Sequence, residues 1–384
     1  MARKSERTRK RARRFFWRRA VPTLFSCSAV ITALPAQSAS AATMPVIRQM
    51  ATWIESAQLL NGAIALQPLG PGTATIWPDQ ADLAAAGLAE ATIATGDRSY
   101  AAAAYRYLRW YAGAENPRTG YTADWTSTNG GPAAPTGIMD STDAYAGGFL
   151  DAAWIWWTAT RDRAELRALA PGIGLAIRAL CSTQQPNGLT WAKPGWTEAY
   201  LMDGGFAGLA SGAALETVLG HTVLANRTAG AARRFQAGVA RLWDPATRTF
   251  AWAVGAGDAK QATNWADFYP DSMEEVEAIA WGAISGPRAA TVMSEFIHRW
   301  PNWADPTAVV AQRGSGMAPV GWWPDTALAL DLVGRRQQAA AGLSHLVAAA
   351  YRTQFAWPFT CEIAGEIILA EVGPHPAPWS SGHL

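Results

Sequence analysis

Six similar segments recur along this chain at intervals of roughly 40 to 70 residues, and repetition of this kind constrains the fold more than any other feature. In each segment an aromatic or proline-rich stretch ends in an acidic residue and is followed by an Ala- and Gly-rich run with helical periodicity. Each segment therefore predicts the start of a helix. The six starts are Trp77-Pro78-Asp79, Met139-Asp140-Ser141-Thr142-Asp143, Met202-Asp203-Gly204-Gly205, Tyr269-Pro270-Asp271, Trp323-Pro324-Asp325 and Trp357-Pro358-Phe359-Thr360-Cys361-Glu362.

A second helical stretch follows most of these starts, and the periodicity predicts twelve helices with almost no β-strand. Helices that are apolar around their circumference belong inside a fold, and they alternate here with helices that carry one charged face. The sequence therefore predicts an all-α fold, an (α/α)6 toroid of six inner and six outer helices, as a single domain over residues 42–384. The predicted helices are 44–60, 79–94, 98–113, 141–158, 162–182, 203–219, 223–243, 271–285, 287–299, 325–333, 335–353 and 361–372.

The connections between these helices are of two lengths. Short turns follow the inner helices, whereas long loops precede them, and loops of more than about 12–15 residues in a compact domain are usually functional or disordered. These loops are rich in Trp and Gly rather than in charge, so we expect them to be ordered. They should gather at one end of the molecule, over the N-termini of the inner helices; the long loops are 61–78, 114–139, 183–202, 244–270 and 300–324.

Residues 1–41 have the pattern of a secretory signal peptide. Ten Lys and Arg residues precede an uncharged stretch from Ala20 to Leu34, and the segment ends in Ala39-Ser40-Ala41. The apolar stretch is too short for a membrane span, so we expect cleavage near Ala41, secretion, and no stable membrane anchor. Within it, Arg13-Arg14-Phe15-Phe16 is similar to the twin-arginine export motif, and the export route stays open.

The charge of the chain changes when this leader is set aside. Residues 1–41 hold ten of the 32 basic and one of the 30 acidic residues, so the remainder carries 22 basic and 29 acidic residues and a net charge of −7. An acidic protein of this kind is not expected to bind nucleic acid, because phosphate neutralisation supplies most of that affinity. We expect the protein to bind a neutral ligand. We also expect it to be a monomer. Cys181 and Cys361 either pair or stay as free thiols, and two cysteines do not make a disulfide framework.

The acidic residues at the inner-helix starts have a structural and a functional explanation. A carboxylate at this position accepts bonds from free backbone N–H groups and meets the positive end of the helix dipole, and Asp271 with Glu274 would form a capping box. All six acids should nevertheless lie in one ring at one end of the toroid. Helix caps and catalytic carboxylates are therefore expected in the same place.

Among the acidic residues at the inner-helix starts, Asp140 and Asp143 form the strongest candidate for a catalytic pair. A spacing of three residues places both carboxylates on one helical face, where mutual repulsion raises the pKa of one of them. Asp203 precedes two glycines that allow close approach of backbone or ligand. Asp79 and Asp271 each have further acidic residues three positions along the chain. We therefore take Asp140, Asp143, Asp203, Asp271 and Asp79 as candidate catalytic residues.

Aromatic residues are concentrated in the same loops, where eleven of the twenty tryptophans lie in or beside long loops or inner-helix starts. Sugar rings present apolar C–H faces that stack on flat aromatic rings, whereas core filling alone does not explain a concentration at one end. Lys193 is one of two lysines after the leader and is a candidate for bonding a hydroxyl or an acidic sugar, or is simply a surface lysine. The candidate substrate-binding residues are Trp77, Trp125, Tyr145, Trp191, Lys193, Tyr269, Trp322, Trp323 and Trp357.

Across residues 44 to 372 the chain resembles the six-hairpin glycosidase superfamily. The segment Ser141-Thr142-Asp143-Ala144-Tyr145 is similar to the Ala-Ser/Thr-Asp-x-Asp segment of family 8 glycoside hydrolases, with Tyr145 in place of the last Asp. The Ser-Glu-Gly segment of that family is replaced here by Trp77-Pro78-Asp79. The resemblance implies a glycoside hydrolase without a metal or other cofactor, with its cleft where the long loops meet the inner-helix N-termini.

For the mechanism, we expect one of Asp140 and Asp143 to be the general acid, and Asp203 or Asp271 to activate water. Packed helices stand about 8–10 Å apart, which matches the carboxylate separation of inverting glycosidases better than the shorter one of retaining glycosidases. A toroid that binds glycans without cleaving them remains the alternative. Epimerases of this fold need cleft histidines, and the histidines here lie outside the long loops. No Asp-Asp-x-x-Asp box of a terpene cyclase is present.

Overall fold

The structure is a computed structural model, and it describes residues 43–312, 316–319, 322–374 and 378. The predicted signal peptide and its cleavage position at Ala41 lie outside the described residues.

Twelve α-helices are present in the described part of the chain, at the places that the periodicity predicts. The largest difference lies in the fourth inner helix, which ends at Ala280 rather than at residue 285 because the chain turns at Trp281 and Gly282. The helices are α1 Met44–Ser56, α2 Pro78–Thr95, α3 Arg98–Ala114, α4 Asp143–Thr160, α5 Arg163–Thr183, α6 Gly205–Leu219, α7 Thr222–Ala240, α8 Asp271–Ala280, α9 Gly286–Arg299, α10 Asp325–Leu332, α11 Arg336–Arg352 and α12 Cys361–Val372.

The even-numbered helices form the inner ring and the odd-numbered helices the outer ring of an (α/α)6 toroid, as expected. Inner helix α6 is buried on all sides from Gly205 to Glu216. Outer helix α9 instead buries one stripe, made by Ala289, Val292, Met293 and Phe296, and this spacing is that of an amphipathic helix. Helix α2 packs against α4 on one side and α12 on the other, so the last inner helix closes the ring against the first.

Glycine pairs bring neighbouring inner helices unusually close together. A Cβ atom at Gly87 of α2 would lie 2.6 Å from Cα of Gly365 in α12, and a Cβ at Gly208 of α6 would lie 2.3 Å from Cα of Gly147 in α4. Contacts this short are possible only when neither residue has a side chain. The Gly-rich composition of the inner helices therefore sets the width of the ring.

The long loops contain short antiparallel strands, which the sequence analysis did not predict. The strands are β1 Thr73–Ile76, β2 Trp125–Thr128, β3 Ala134–Pro135, β4 Ala199–Tyr200, β5 Trp243–Asp244, β6 Thr249–Gly255, β7 Ala259–Ala262, β8 Val309–Gln312 and β9 Gly316–Pro319. They form one sheet of order β1-β2-β3, a second in which β6 pairs with β4, β5 and β7, and a hairpin of β8 and β9. Backbone groups in partly buried loops need hydrogen-bond partners, and the strands supply them.

Strand pairing joins loops that precede different inner helices. Thr73 lies opposite Thr128, which pairs the loop before α2 with the loop before α4. Ala199 lies opposite Val254, which pairs the loop before α6 with the loop before α8. In the described part of the chain, these paired loops form a hydrogen-bonded rim over one end of the ring.

Substitution of Gly365 by Ala tests the importance of the close helix contacts. Its Cβ would lie 2.3 Å from the carbonyl oxygen of Leu83, a rigid backbone atom, so we expect the free energy of unfolding to fall by about 1–3 kcal/mol, as for other overpacked sites. Chemical denaturation followed by circular dichroism measures this change. The matched control is Gly174→Ala in outer helix α5, where a Cβ meets no atom within 4 Å and the stability should rise by up to about 1 kcal/mol. Equal effects of the two substitutions would contradict this account.

Candidate active site

A cavity of about 400 Å³ lies inside the ring of inner helices. Helices α2, α4, α6, α8 and α12 line it, together with loop residues that precede α8, α10 and α12. Gly147 and Gly148 of α4 face this space, and a Cβ atom at Gly148 would lie only 2.8 Å from Oδ2 of Asp82. Small residues on one helix thus make room for carboxylates of the next. The volume suits a small organic ligand or part of a larger one.

Carboxylates dominate the polar lining of the cavity. Within the described part of the chain, no Lys, Arg or His is among the lining residues. The acidic residues that line the cavity are Asp79, Asp82, Asp151, Asp203, Glu277, Glu362 and Glu366. Ionising a buried carboxylate without a cation is costly, so such groups keep their protons to higher pH than exposed ones.

Asp203, in the cavity wall, forms a hydrogen-bonded pair with Asp143 behind it. Asp143 is fully buried, and its carboxylate accepts bonds from Ser141 Oγ at 2.8 Å and Thr190 Oγ1 at 2.6 Å. Burial raises the pKa of Asp143 to about 6, and the bonds from Thr190, Ser141 and Asp203 oppose that rise. Burial, with the charges of Asp143 and Glu274, raises the pKa of Asp203 well above its usual range. The proton shared by this pair therefore resides on Asp203.

Asp79 and Asp82 lie one turn apart at the start of α2. Burial raises the pKa of Asp79 to about 7, and the negative charges of Asp140 and Asp124 contribute to the rise. Oδ1 of Asp79 is buried and has no hydrogen-bond partner among the described residues. Asp82 is 1% exposed, accepts a bond from the Tyr107 hydroxyl at 3.0 Å, and has a pKa that burial raises well above its usual range. Near neutral pH, Asp79 is thus the more readily ionised of the two.

A second group of carboxylates comes from helices α8, α10 and α12. Burial raises the pKa of Asp325 to about 7 and, with repulsion from Asp79 and Asp325, that of Glu362 to about 8. Burial and mutual repulsion raise the pKa values of Glu277 and Glu366 well above their usual range. Each of these four carboxylates lies close enough to at least one of the others to disfavour its ionisation.

Aromatic rings form the remaining wall of the cavity. Tyr269 and Trp323 lie against each other with ring centroids 5.4 Å apart and planes inclined at 31°. Trp322 meets Phe359 edge to face at 5.4 Å, which fixes its orientation. Trp357 is 63% exposed and leaves a flat apolar face accessible to a ligand. Flat apolar rings with carboxylates beside them can bind a ligand that has both apolar and polar faces.

The structure brings some of the predicted site residues to the cavity and places others outside its lining. Those in the lining are Asp79, Asp203, Tyr269, Trp322, Trp323 and Trp357. Those outside it are Asp140, Asp143, Asp271, Trp77, Trp125, Tyr145, Trp191 and Lys193. Their catalytic or binding roles stay predictions, and the geometry shows what each side chain contacts.

The expectation that Asp140 and Asp143 share a helical face is wrong. Helix α4 begins at Asp143, so Asp140 lies in the preceding loop and is exposed. Burial, and not repulsion from Asp140, is the main cause of the raised pKa of Asp143. Asp140 acts instead on Asp79, whose ionisation its charge disfavours.

The expected capping box at α8 is also absent. Pro270 occupies the N-cap position, Asp271 Oδ1 accepts the backbone N–H of Asn264 at 2.8 Å, and Glu274 Oε2 accepts that of Met202 at 2.7 Å. Both carboxylates therefore hold loops in place over the helix end. Outer helices α3 and α5, by contrast, have capping aspartates.

Three of the predicted binding residues have partners within the protein. The Tyr145 hydroxyl donates to Asp124 Oδ1 at 2.5 Å, and Lys193 Nζ donates to the carbonyl oxygen of Met139 at 2.9 Å. Trp125 packs edge to face against Trp110.

The other two predicted binding residues outside the lining lie at the periphery. Trp77 is the N-cap residue of α2 and is 37% exposed, and Trp191 is half-buried against the core.

Several cavity carboxylates were missed by the sequence analysis because they lie inside helices and not at their starts. Glu277 lies two turns into α8, Glu366 lies one turn beyond Glu362 in α12, and Asp151 lies two turns into α4. A signal was available, because each is an acidic residue within an inner helix whose other residues are mostly buried. Such a residue must face either a partner or a cavity.

The described residues contain no group of three or more His, Cys, Asp or Glu side chains arranged to hold a metal ion. No helix in the described ranges is long and apolar enough to cross a membrane.

No protein-family model and no curated protein matches the chain in sequence. Solved structures do match it in fold. A glycosidase variant in complex with glucose is 14% identical, with 86% of this chain and 96% of that chain covered and a TM-score of 0.58. An inactive variant of the α-1,6-mannanase GH76A of Salegentibacter sp. HEL1_6, in complex with α-1,6-mannotetrose, is 10% identical, with 86% and 98% covered and a TM-score of 0.54.

The GH78 rhamnosidase of Bacillus sp. GL1 is 13% identical over 77% of this chain, with a TM-score of 0.55. The match covers only 31% of that larger protein. At these identities the similarity establishes the fold, which is the helical toroid of these glycosidases.

The raised pKa of Glu362 predicts that stability falls as the pH rises. Its ordinary pKa of 4.5 rises to about 8 on folding, so above pH 4.5 the unfolded chain releases a proton that the folded protein keeps. This contribution to stability is present in acid and lost as the pH rises through about 8. Glu362→Gln should therefore raise the Tm at pH 9 and change it little at pH 4.5, as measured by scanning calorimetry at about these two pH values.

The control is Glu295→Gln on the exposed face of α9, where the side chain pairs with Arg299 at 2.7 Å. Its effect should be small, at about 0–1 kcal/mol, and similar at both pH values. A Tm shift of Glu362→Gln that does not depend on pH would disprove the assignment.

Proposed function

We propose that this protein is a glycoside hydrolase that cleaves a poly- or oligosaccharide by acid–base catalysis with two carboxyl groups. The observation that carries the proposal is the hydrogen-bonded pair of Asp143 and Asp203 in the wall of an aromatic-lined cavity. Glycosidic bond cleavage needs a carboxylic acid that is still protonated near neutral pH beside a second carboxylate that is ionised. Asp203 and Asp79 meet these two requirements within one cavity.

Asp203 acts as the general acid. Its proton passes to the glycosidic oxygen as the bond to the anomeric carbon breaks, and the leaving sugar departs as a neutral alcohol. The hydroxyl groups of Ser141 and Thr190 donate hydrogen bonds to Asp143 and favour its ionised form, so the proton of the pair stays on Asp203 before reaction. Asp143 thus positions Asp203 without touching the substrate.

Asp79 acts as the general base. It takes a proton from a water molecule whose oxygen attacks the anomeric carbon, and its pKa of about 7 leaves it partly ionised at neutral pH. Asp79 belongs to α2 and Asp203 precedes α6, and α4 packs between these two helices. Because α2 and α6 are separated by another helix, this arrangement favours a separation larger than the about 5–5.5 Å of a retaining pair, and hence inversion at the anomeric carbon.

The aromatic wall supports a carbohydrate substrate. The rings of Tyr269, Trp322, Trp323 and Trp357 offer apolar faces next to carboxyl groups, and sugars need both kinds of contact. Solved structures of the same fold were obtained with glucose and with α-1,6-mannotetrose bound. The pattern of residues 1–41 further supports export, so the proposed enzyme acts outside the cell with its leader removed near Ala41.

Substitution of the two proposed catalytic residues tests the mechanism. On glycans identified by a reducing-end screen, Asp203→Asn and Asp79→Asn should each lower kcat by about 100- to 10,000-fold, the usual contribution of a general acid or base. NMR of the first-formed product should show the anomer opposite to that of the substrate. The control is Asp331→Asn in inner helix α10, outside the cavity, where the side chain pairs with Arg336 at 3.0 Å. It should retain normal kcat.

Product with retained configuration would exclude the inverting mechanism. Full activity of Asp203→Asn would exclude this residue as the acid. Binding of glycans by the wild-type protein without any turnover would instead favour the non-catalytic glycan-binding toroid.

The pH dependence of kcat/KM should report the ionisation of Asp79. Activity needs Asp79 ionised and Asp203 protonated, so it should rise through about pH 7 as Asp79 ionises and fall where Asp203 loses its proton. Asp140→Asn removes a negative charge that raises the pKa of Asp79, so the rise should move to lower pH with the maximum near its wild-type value. Asp140→Glu keeps the charge and should leave the profile unchanged. An identical profile for both variants would contradict the role of Asp79.

A further inference from the structure

The carboxyl groups on one side of the cavity are not used by the proposed acid–base chemistry. Glu277 of α8 and Glu362 and Glu366 of α12 line the same cavity, where Glu277 disfavours ionisation of Asp203 and Asp79 disfavours that of Glu362, and Asp325 of α10 lies beside them. We call Glu277, Glu362, Glu366 and Asp325 the deep acidic group. It comes from three inner helices, and α10 packs against both α8 and α12.

The deep acidic group has no cation to balance it within the described part of the chain. No salt bridge or hydrogen bond from the described residues reaches the side chains of Glu277, Glu362 or Glu366. Glu366 is only 8% exposed and yet lines the cavity, so its side chain is buried and faces the ligand space, and no described residue bonds to its carboxyl group. Asp325 is 2% exposed and disfavours ionisation of all three. Buried polar groups are nearly always hydrogen-bonded, to protein, to ordered water or to a ligand, so the partners of this group come from within the cavity.

The charge of the deep acidic group indicates the chemistry of a ligand that would bind it. A neutral sugar hydroxyl gains only ordinary hydrogen bonds from these groups. A positively charged group also relieves the repulsion among them, and charge-assisted hydrogen bonds are about twice as strong as neutral ones. Because the carboxyl groups are largely protonated in the empty cavity, binding of a cation shifts them towards ionisation and releases protons.

An organic cation fits better than a metal ion. Among the described residues these carboxylates do not come together in an arrangement that holds a metal. Trp322, Trp323 and Trp281 line the same cavity, and indole rings attract ammonium groups through cation–π interactions. A sugar that carries a free amine presents an ammonium group on a ring whose apolar face stacks on tryptophan, and so uses both features of the cavity.

We propose that the substrate is an amino sugar with a free, protonated amine, which the deep acidic group binds. This inference rests on the proposed function for the reaction and adds the class of sugar. The ammonium group binds among Glu277, Glu362 and Glu366, and the neighbouring glycosidic bond is presented to Asp203 and Asp79.

Binding of monosaccharide pairs tests this inference without knowledge of the linkage. Glucosamine, galactosamine and mannosamine are compared by titration calorimetry with glucose, galactose and mannose at about pH 6, where a sugar amine is protonated. In at least one pair the amine should bind about tenfold or more tightly, as expected for a hydrogen bond to a charged group. Heats measured in buffers of different ionisation enthalpy should show proton release with the amine only. N-acetylglucosamine, which has no charge, should bind no better than glucose.

Variants then locate the ammonium site. Glu366→Gln should weaken binding of the amine about tenfold and leave binding of the neutral sugar unchanged. The matched control is Glu371→Gln, in the same helix and outside the cavity lining, where burial also raises the carboxyl pKa to about 7. It should leave both affinities unchanged.

The inference is overturned if the neutral member of every pair binds as tightly as the amine, if no amine binds, or if Glu366→Gln weakens both members equally. Hydrolysis assays separate this failure from failure of the proposed function. Cleavage of neutral glycans without preference for amines would leave a hydrolase of another specificity. Binding of amines with no cleavage of any glycan, amino-sugar oligosaccharides included, would retain the ammonium site and remove the hydrolase.

Discussion

Close contact between glycines of neighbouring inner helices is the constraint on which the rest of the structure depends. Where Gly87 meets Gly365 and Gly147 meets Gly208, backbones approach to distances that a single added methyl group would prevent. The ring is therefore narrow, and polar side chains that project into it are removed from bulk water. Desolvation is accordingly the largest cause of the raised pKa of every cavity carboxylate for which a shift is resolved.

The same desolvation links stability to chemistry. A cavity with many carboxyl groups and no cation among its described lining residues holds protons that these groups would lose in water. Folding therefore takes up protons, and the folded protein is favoured by mild acid. This arrangement keeps Asp203 protonated, as a general acid must be, while the bonds from Ser141 and Thr190 make Asp143 easier to ionise. The protein thus has a lower free energy of unfolding than it would have without these buried carboxyl groups, whose raised pKa values serve the proposed chemistry.

Much of the fold was predictable from sequence because its signals are local. Pro78, Pro270 and Pro324 lie at or just before the first turn of inner helices, where proline is tolerated, and the apolar periodicity gave all twelve helices. The site was less predictable because it depends on helix rotation. Glu277 and Glu366 face the cavity only because of how α8 and α12 are turned within the ring, and Asp140 shares no helical face with Asp143 because Asp143 is the first residue of α4.

Pairing between the long loops has a consequence for how such a protein can change during evolution. Strands β1 and β2, and likewise β4 and β6, belong to loops that precede different inner helices, and their registers are fixed residue by residue. A one-residue insertion in β1 would turn every following side chain of that strand to the opposite face unless β2 changed as well. Neighbouring loops must therefore diversify in pairs, so new substrate preferences would arise through coordinated exchange of adjacent segments rather than through isolated changes in one of them.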